Sequence, residues 1–227
     1  MKKIYKLLVL LLFLTFSLPL SAHVEHYKDL NRIEFDIYRN NKNIGKHVFE
    51  FIKTSEGLSV VSEINFQIKK LGVVLYKYHV KGTEFYIDNQ LVKFNSKTNQ
   101  NGKEKYVNIS LNNDVYNIDG SSNKSDAPLD YMVGTWWNHS IVEAKAQISA
   151  VSGRIINQKV TFLGKEKINI NGKSYETLHF NFSSTDKKLN KDKKLNTDIW
   201  YDEKTLNWLK ATFKKKGNWE YRLVLQN

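Results

Sequence analysis

Hydrophobic and polar residues alternate along most of this chain, which is the pattern of half-buried β-strands. Near the start, Ile33, Phe35 and Ile37 alternate with charged residues. Two dipeptides, Asn101-Gly102 and Asn171-Gly172, are strong hairpin signals because both residue types tolerate a positive φ. The pattern predicts about thirteen strands joined as sequential hairpins.

Two stretches depart from this alternation. Residues 119–130 contain Pro128 and predict a long connection that could split the sheet into two halves. Residues 129–146 predict one or two short helices. A flat open sheet of so many strands is disfavoured. The predicted fold is therefore mainly β, a large and strongly curved antiparallel sheet (half-barrel or barrel) with one or two short helices.

The first 22 residues have the pattern of a secretory signal peptide. Lys2, Lys3 and Lys6 precede an apolar core, and small residues precede a plausible cut after Ala22. The alternative is an uncleaved membrane anchor, although Pro19 makes the apolar stretch marginal for a bilayer span. We expect a signal peptide at 1–22, a single β-rich domain at 23–227, a periplasmic location, and no transmembrane span after cleavage.

Composition narrows the possible chemistry. The chain has no cysteine, which excludes disulfides, thiolate catalysis and cysteine-based metal sites. Removal of residues 1–22 takes away three lysines and no acid, so the net charge of +12 becomes +9. This excess indicates either an anionic partner, such as an envelope surface, or simply solubility. The one lysine cluster, at 187–194, has the pattern of a solvated loop.

Aromatic residues form the most distinctive candidate site. Trp136 and Trp137 are adjacent, and a second aromatic pair, Trp200-Tyr201, lies in a predicted strand. Such residues either stack on a ligand or fill the open end of a barrel as core. The candidate ligand-binding residues are Tyr131, Trp136, Trp137, Asn138, His139, Trp200 and Tyr201.

No sequence motif indicates catalysis or a cofactor. The histidines never adopt metal-ligand spacing on one element, although His23 and His26 could weakly hold copper or zinc at a new N-terminus. His139 and His179 are the only histidines with an interesting neighbourhood. We expect no catalytic residue, no metal, no cofactor and no enzymatic activity. Nucleic-acid binding is not expected, because export argues against it and no RNA-binding motif is present.

Several short motifs, taken in order, resemble an uncharacterised family of exported bacterial proteins. They are Ile44-Gly45, residues 70–78, Glu84-Phe85 before Leu91, Asn101-Gly102, Trp137-Asn138 and Trp200-Tyr201-Asp202. The resemblance covers about residues 32–225 and implies no activity. The turn Glu203-Lys204-Thr205 departs from the family pattern, which has a glycine there. In outline the chain is similar to the half-barrels of periplasmic lipoprotein carriers.

Two functions are therefore expected. The first is an exported protein that binds a hydrophobic or amphiphilic ligand, such as a lipid or an acyl chain, on the concave face of the sheet. The alternative is an envelope interaction module that uses the lysine cluster and an exposed strand edge to contact an anionic surface or a protein partner.

Overall fold

The computed structural model describes residue 27, residues 29–190 and residues 193–227. The predicted signal peptide, together with His23 and His26, lies outside these residues. The fifteen strands of the described part are β1 (Arg32–Arg39), β2 (Lys42–Lys53), β3 (Leu58–Lys70), β4 (Val73–Ile87), β5 (Gln90–Gln100), β6 (Lys103–Asn112), β7 (Val115–Gly120), β8 (Asn123–Pro128), β9 (Tyr131–Val133), β10 (Ala146–Ile148), β11 (Ile155–Ile170), β12 (Lys173–Ser184), β13 (Asn196–Asp202), β14 (Trp208–Lys214) and β15 (Asn218–Gln226).

All fifteen strands belong to one sheet that curls into a nearly closed barrel. Its order is β8-β7-β6-β5-β4-β3-β2-β1-β15-β14-β13-β12-β11-β10-β9, and every pair is antiparallel except β9 with β10. The first and last strands of the chain meet at the β1–β15 pairing. The predicted mainly-β, strongly curved sheet is thus confirmed.

The β10–β11 loop lies against the β7–β8 hairpin at one edge of the sheet. The backbone N–H of Ser122 donates to the carbonyl of Ser152 over 2.9 Å, and the Asn123 side chain reaches the carbonyl of Gly153. A Cβ added at Gly120 would lie 2.6 Å from the Ser152 carbonyl oxygen. A glycine is therefore needed for the loop to approach the edge so closely.

The predictions for residues 119–146 need correction. Residues 119–128 do not form a long connection, because they belong to the β7–β8 hairpin at the sheet edge. Residues 129–146 contain the three-residue strand β9, one short 3-10 helix, His139–Val142, capped by the Asn138 side chain, and the first residue of β10. Within the described residues no helix is long and apolar enough to cross a bilayer.

The core fills the inside of the barrel. Phe35, Phe49, Ile199 and Trp208 are fully buried and belong to the inward-facing rows of β1, β2, β13 and β14. Successive strands alternate in direction, so their turns gather at two ends. One end, here called the terminal end, holds the start of β1 and the finish of β15. The other, the hairpin end, holds the β1–β2, β3–β4 and β14–β15 turns.

Candidate functional site

The segment from Gly134 to Lys145 runs through the barrel interior and is called the plug here. This segment connects the end of β9 to the start of β10. Because these two strands are parallel, the segment must run back along the barrel between them. Trp137, at its middle, is fully buried and packs edge-on against Tyr27, Phe51 and Tyr86. The plug thus places two of the aromatic candidates, Trp136 and Trp137, inside the barrel.

A buried carboxylate anchors the plug. Glu84, on the inward face of β4, is 1% exposed. It accepts hydrogen bonds from the Trp137 indole and the Thr135 hydroxyl, both 2.9 Å long, and from the Tyr86 hydroxyl at 2.5 Å. Burial raises the pKa of Glu84, and the three donors, which favour the charged form, oppose this only in part. Sequence reasoning missed Glu84, although it is in phase with the inward-facing Val80 and Tyr86.

Trp136 faces away from Trp137 and is held by different partners. Its backbone φ is +64°, a left-handed conformation that is costly for a bulky residue. The Tyr201 hydroxyl donates to the Trp136 carbonyl over 3.0 Å, and the Trp136 indole donates to the Gln147 side chain over 3.2 Å. The two tryptophans and Tyr201 are therefore tied into the core.

The remaining candidates do not share one place. The His139 ring lies edge-on to Tyr201 and Phe180 inside the barrel, and the backbone N–H of His139 donates to the Tyr27 hydroxyl. Tyr131 is half-buried on the edge strand β9. Trp200 faces the opposite side of β13 from Tyr201, as neighbouring residues of a strand must. The structure thus groups Trp136, Trp137, Asn138, His139 and Tyr201, and separates Trp200.

Trp200 belongs to a polar cluster on the outer face of the sheet. It stacks on His179 with ring centroids 4.1 Å apart, and its indole donates to Glu166. The Nδ1 atom of His179 lies 2.9 Å from Glu166, and its Nε2 lies 3.6 Å from Asp198. The side chains of both acids are well exposed, at 46% and 39%. This is a hydrated surface network and not a deep pocket.

An opening between β2 and β3 at the hairpin end offers a different kind of site. The pairing of these strands ends at Gly45 and Phe66, and beyond that point they separate. The gap has a volume of about 650 Å³ and is called the β2–β3 mouth here. It is lined by apolar side chains (Ile44, Phe66, Ile68), by cations (Arg39, Lys42, Lys69) and by amides (Asn40, Asn43, Asn65, Gln67).

Local backbone geometry shapes this mouth. Ile44 is the extra residue of a bulge in the β1–β2 pairing, and the Gly45 N–H donates to the Asn43 side chain over 3.0 Å. A Cβ at position 45 would overlap the Asn65 carbonyl oxygen and the Phe66 backbone. Glycine at 45 therefore lets the two strands touch just before they diverge.

A strip of aromatic rings continues from the mouth along the inner wall. Phe66 stacks on Tyr78 with centroids 4.8 Å apart and meets Trp219 edge-on at 5.3 Å, while Trp219 stacks on Phe213. Burial raises the pKa of Tyr78, so this phenol stays neutral. Sequence reasoning missed this strip because it joins β3, β4, β14 and β15 through the barrel closure.

The charge of the mouth is one-sided. None of the residues that line it is acidic. The Arg39 guanidinium donates to the Lys216 carbonyl and lies 5.9 Å from the Trp219 ring. In the described part of the chain, Lys42 and Lys69 take part in no ion pair of 4 Å or less. The mouth thus joins an apolar floor to an uncompensated positive rim.

Comparison with known proteins gives a family and a fold. A family model described as a domain of unknown function, DUF6134, matches residues 35–224. No curated protein matches the chain. A β-barrel-like protein of the domain of unknown function DUF1849 from Brucella abortus is similar, with a TM-score of 0.60 at 10% identity over 87% of this chain and 97% of that one. At this identity the likeness shows a shared fold.

Two further solved structures are more distant. One is a putative exported protein with a YmcC-like fold from Bacteroides fragilis, with a TM-score of 0.33 at 8% identity over 86% of this chain and 94% of that one. The other is a DUF1329 family protein from Desulfovibrio piger, with a TM-score of 0.20 at 8% identity over 91% and 89%. The predicted resemblance to an uncharacterised β-rich family is confirmed by the family match and the DUF1849 structure.

Proposed function

We propose, for a chain that belongs to the DUF6134 family of unknown function, that the protein is exported and binds an amphiphile with an anionic head group at the β2–β3 mouth. The observation that carries this proposal is the combination of an apolar floor and a cationic rim in one opening of about 650 Å³. Ligand sites of this size usually combine apolar walls with a few placed polar groups.

The chemistry of the mouth favours this ligand class over a purely apolar one. Phe66 and Ile68 supply surface for a chain or ring, while Lys42 and Lys69 supply hydrogen-bond donors for a phosphate, sulfate or carboxylate. The barrel interior suits a ligand less well, because Trp137, Tyr201 and Trp208 are fully buried by protein atoms. We therefore place the proposed ligand at the rim of the concave face, whereas the sequence predicted a ligand on the concave face itself.

The test compares an anionic lysophosphatidylglycerol with a zwitterionic lysophosphatidylcholine of the same acyl length, both below their micelle concentrations. Native mass spectrometry and displacement of an anionic naphthalene sulfonate dye measure binding. We expect saturable binding of the anionic lipid, weakened about tenfold or more in Lys42→Glu/Lys69→Glu, since each charge-assisted hydrogen bond contributes about 1.5–3 kcal/mol.

The matched control is Lys53→Glu/Lys204→Glu, which changes charge equally at exposed positions of the terminal end. It should bind the anionic lipid with an affinity within about twofold of the unaltered protein, because these charges lie far beyond a Debye length of about 8 Å. Equal losses in the two double variants, or no saturable binding, would refute the site.

The proposal also holds that the protein is not an enzyme. This part is supported by where the structure places His139 and His179, the two histidines whose neighbours made them candidates for catalysis. The partners of His179 are carboxylates on the hydrated outer face, and the His139 ring packs against Tyr201 and Phe180. Release of fatty acid from the bound lysophospholipid, followed by mass spectrometry over hours, would contradict this part of the proposal.

A further inference from the structure

The β3–β4 hairpin projects beyond both of its neighbours in the sheet. The β2–β3 pairing ends at Phe66, and the β4–β5 register ends at Tyr78. Between these positions the two strands pair with each other around a turn at Leu71 and Gly72, both with positive φ. The tip of this hairpin, residues 68–77, therefore extends past both neighbouring strands at the hairpin end of the barrel, while Lys77 at its base exchanges hydrogen bonds with Asn101 of the β5–β6 turn.

The end of this tip is apolar and open to solvent. Leu71 is 96% exposed, Val73 62%, Leu75 55% and Val74 38%. Only Gly72 interrupts these side chains, so apolar groups cover both faces of the hairpin end. Isolated exposed apolar residues are ordinary, but a contiguous apolar group on a protruding element marks an interaction site.

Positive charge flanks the apolar tip. Lys70 pairs with Val73 and Lys69 with Val74, while Lys77 lies farther down β4 opposite Gln67, and all three lysines are exposed. Residues 64–83 contain no acidic residue. Tyr76 and Tyr78 lie on either side of Lys77 on β4, and tyrosine suits the level where apolar and wet surroundings meet.

We propose that this hairpin tip docks the protein onto an anionic lipid surface. Strands rise about 3.3 Å per residue, so Leu71 to Leu75 fit the depth of about 5–10 Å that peripheral elements reach at the head-group boundary. Lys77 then lies near the level of the lipid phosphates, and the long side chains of Lys69 and Lys70 reach back to the same level from positions beside Val74 and Val73. An exposed apolar tip flanked by lysines, with no acid from residue 64 to residue 83, fits an anionic lipid surface better than a protein partner. Ile68 and Lys69 belong to both the tip and the mouth, whereas Lys70, Leu71, Leu75 and Lys77 lie outside the mouth lining, so variants of these four residues test docking separately from the proposed ligand.

The experiment uses the absence of cysteine in the chain. A Leu71→Cys variant carries one environment-sensitive fluorophore, and an Ile87→Cys variant carries the same label at an exposed site of the terminal end. Both are mixed with vesicles of phosphatidylcholine alone and with phosphatidylglycerol added. All variants are full chains, so residues 1–22 contribute equally. We expect a blue shift of the position 71 label on anionic vesicles only, and none at position 87.

Sedimentation with the same vesicles supplies the second measurement. Lys70→Gln/Lys77→Gln should lower the partition coefficient about twentyfold or more, because each surface lysine contributes about 1 kcal/mol. Leu71→Ser/Leu75→Ser should also lower it, whereas Ile52→Ser/Ile87→Ser, at exposed apolar positions of the terminal end, should leave it unchanged.

Three outcomes would overturn the proposal. The first is binding unaffected by the tip variants but lost when Lys187, Lys188, Lys193 and Lys194 are replaced, which would assign docking to the lysine cluster. The second is a shift of the position 71 label that rises with protein concentration without vesicles, which would indicate a second copy of the chain. The third is no vesicle binding at any salt concentration.

Discussion

The plug and the β2–β3 mouth satisfy their polar atoms in opposite ways. Inside the barrel, Glu84 accepts three hydrogen bonds. The side-chain amide of Gln158 donates to the backbone carbonyls of Ile141 and Ala144 in the plug. At the mouth, Lys42 and Lys69 belong to a lining that contains amides, apolar side chains and Arg39 but no acidic residue.

This difference separates structural from functional residues. Buried polar groups must find partners within the protein, because an unsatisfied one costs about 1–3 kcal/mol. Glu84 and Gln158, which hold the plug, obey this rule and have little capacity left for a ligand. The mouth keeps charged donors in water, where they are inexpensive to maintain and free to meet an anion. Changes in the plug should therefore affect stability, and changes in the mouth should affect binding.

The largest expected effect is that of Trp137→Ala in the plug. Loss of a fully buried indole typically costs about 3–5 kcal/mol, and here it also removes a donor from Glu84. Trp219→Ala, at the half-buried aromatic strip, should cost roughly half as much, since less apolar area returns to water. Urea unfolding of both variants checks this order, and equal losses would mean that the two regions are equally packed.

Gly45→Ala should come next, because the added methyl group would overlap the backbone of β3. Overpacking of this kind costs about 1–3 kcal/mol. Gly82→Ala is the control: its methyl group would meet the Phe94 ring at 3.2 Å and the Ser62 hydroxyl at 3.3 Å, side chains that can move. Thermal unfolding should show the larger loss for position 45. A crystal structure of the variant should show the β2–β3 mouth displaced.

Glu84 should give the plug a distinctive pH dependence. Since burial raises its pKa in the folded state, the folded protein holds a proton that the unfolded chain releases, and stability falls as pH rises above the ordinary carboxyl range. The slope of the unfolding free energy contributed by one such group is at most about 1.4 kcal/mol per pH unit. We expect Glu84→Gln to remove this component.

The measurement is the difference between the two proteins in urea unfolding from pH 4 to pH 8. His47, buried among aromatic rings with its pKa lowered to about 3, gives stability that is present above its unfolded pKa and lost as pH falls toward 3. This contribution occurs in both proteins and cancels in the difference. A difference that does not change with pH would show that the pKa of Glu84 in the folded protein is not raised above its pKa in the unfolded chain.

The smallest stability effects should come from the mouth itself. Lys42→Ala and Lys69→Ala should each change the unfolding free energy by less than about 0.5 kcal/mol, as is usual for exposed positions. Each should nevertheless weaken binding of lysophosphatidylglycerol severalfold, while Lys53→Ala should change neither quantity. If loss of either mouth lysine destabilised the fold without weakening binding, the assignment of stability to the plug and of binding to the mouth would be wrong.

Part of the fold could be predicted from sequence because its causes are local. Alternation of Ile33, Phe35 and Ile37 fixes which side of β1 is buried, and the steric freedom of Asn101-Gly102 and Asn171-Gly172 fixes two hairpins. The many sequential strands also required a strongly curved sheet. These features depend on neighbouring residues, so one sequence suffices to recognise them.

The errors have physical causes that are not local. β8 is an edge strand in which only Ala127 is buried, so its polar sequence resembled a loop. The plug sequence predicted a helix because it is rich in apolar residues. These residues are apolar because they pack against the core inside the barrel. Trp136 and Trp137 were recognised as a pair, but the carboxylate that holds Trp137 comes from β4, far away in sequence.

By itself, the sequence determined the strands, most turns, the absence of cysteine chemistry and the excess of positive charge. The tertiary structure alone decided how the barrel closes, with β1 against β15, and which side chains thereby become neighbours. Phe66 meets Trp219, and Arg39 joins Lys42 and Lys69, only because strand register and a bulge at Ile44 place them at one mouth. Register is a collective property of packed faces, since each strand fits several partners until the core selects one.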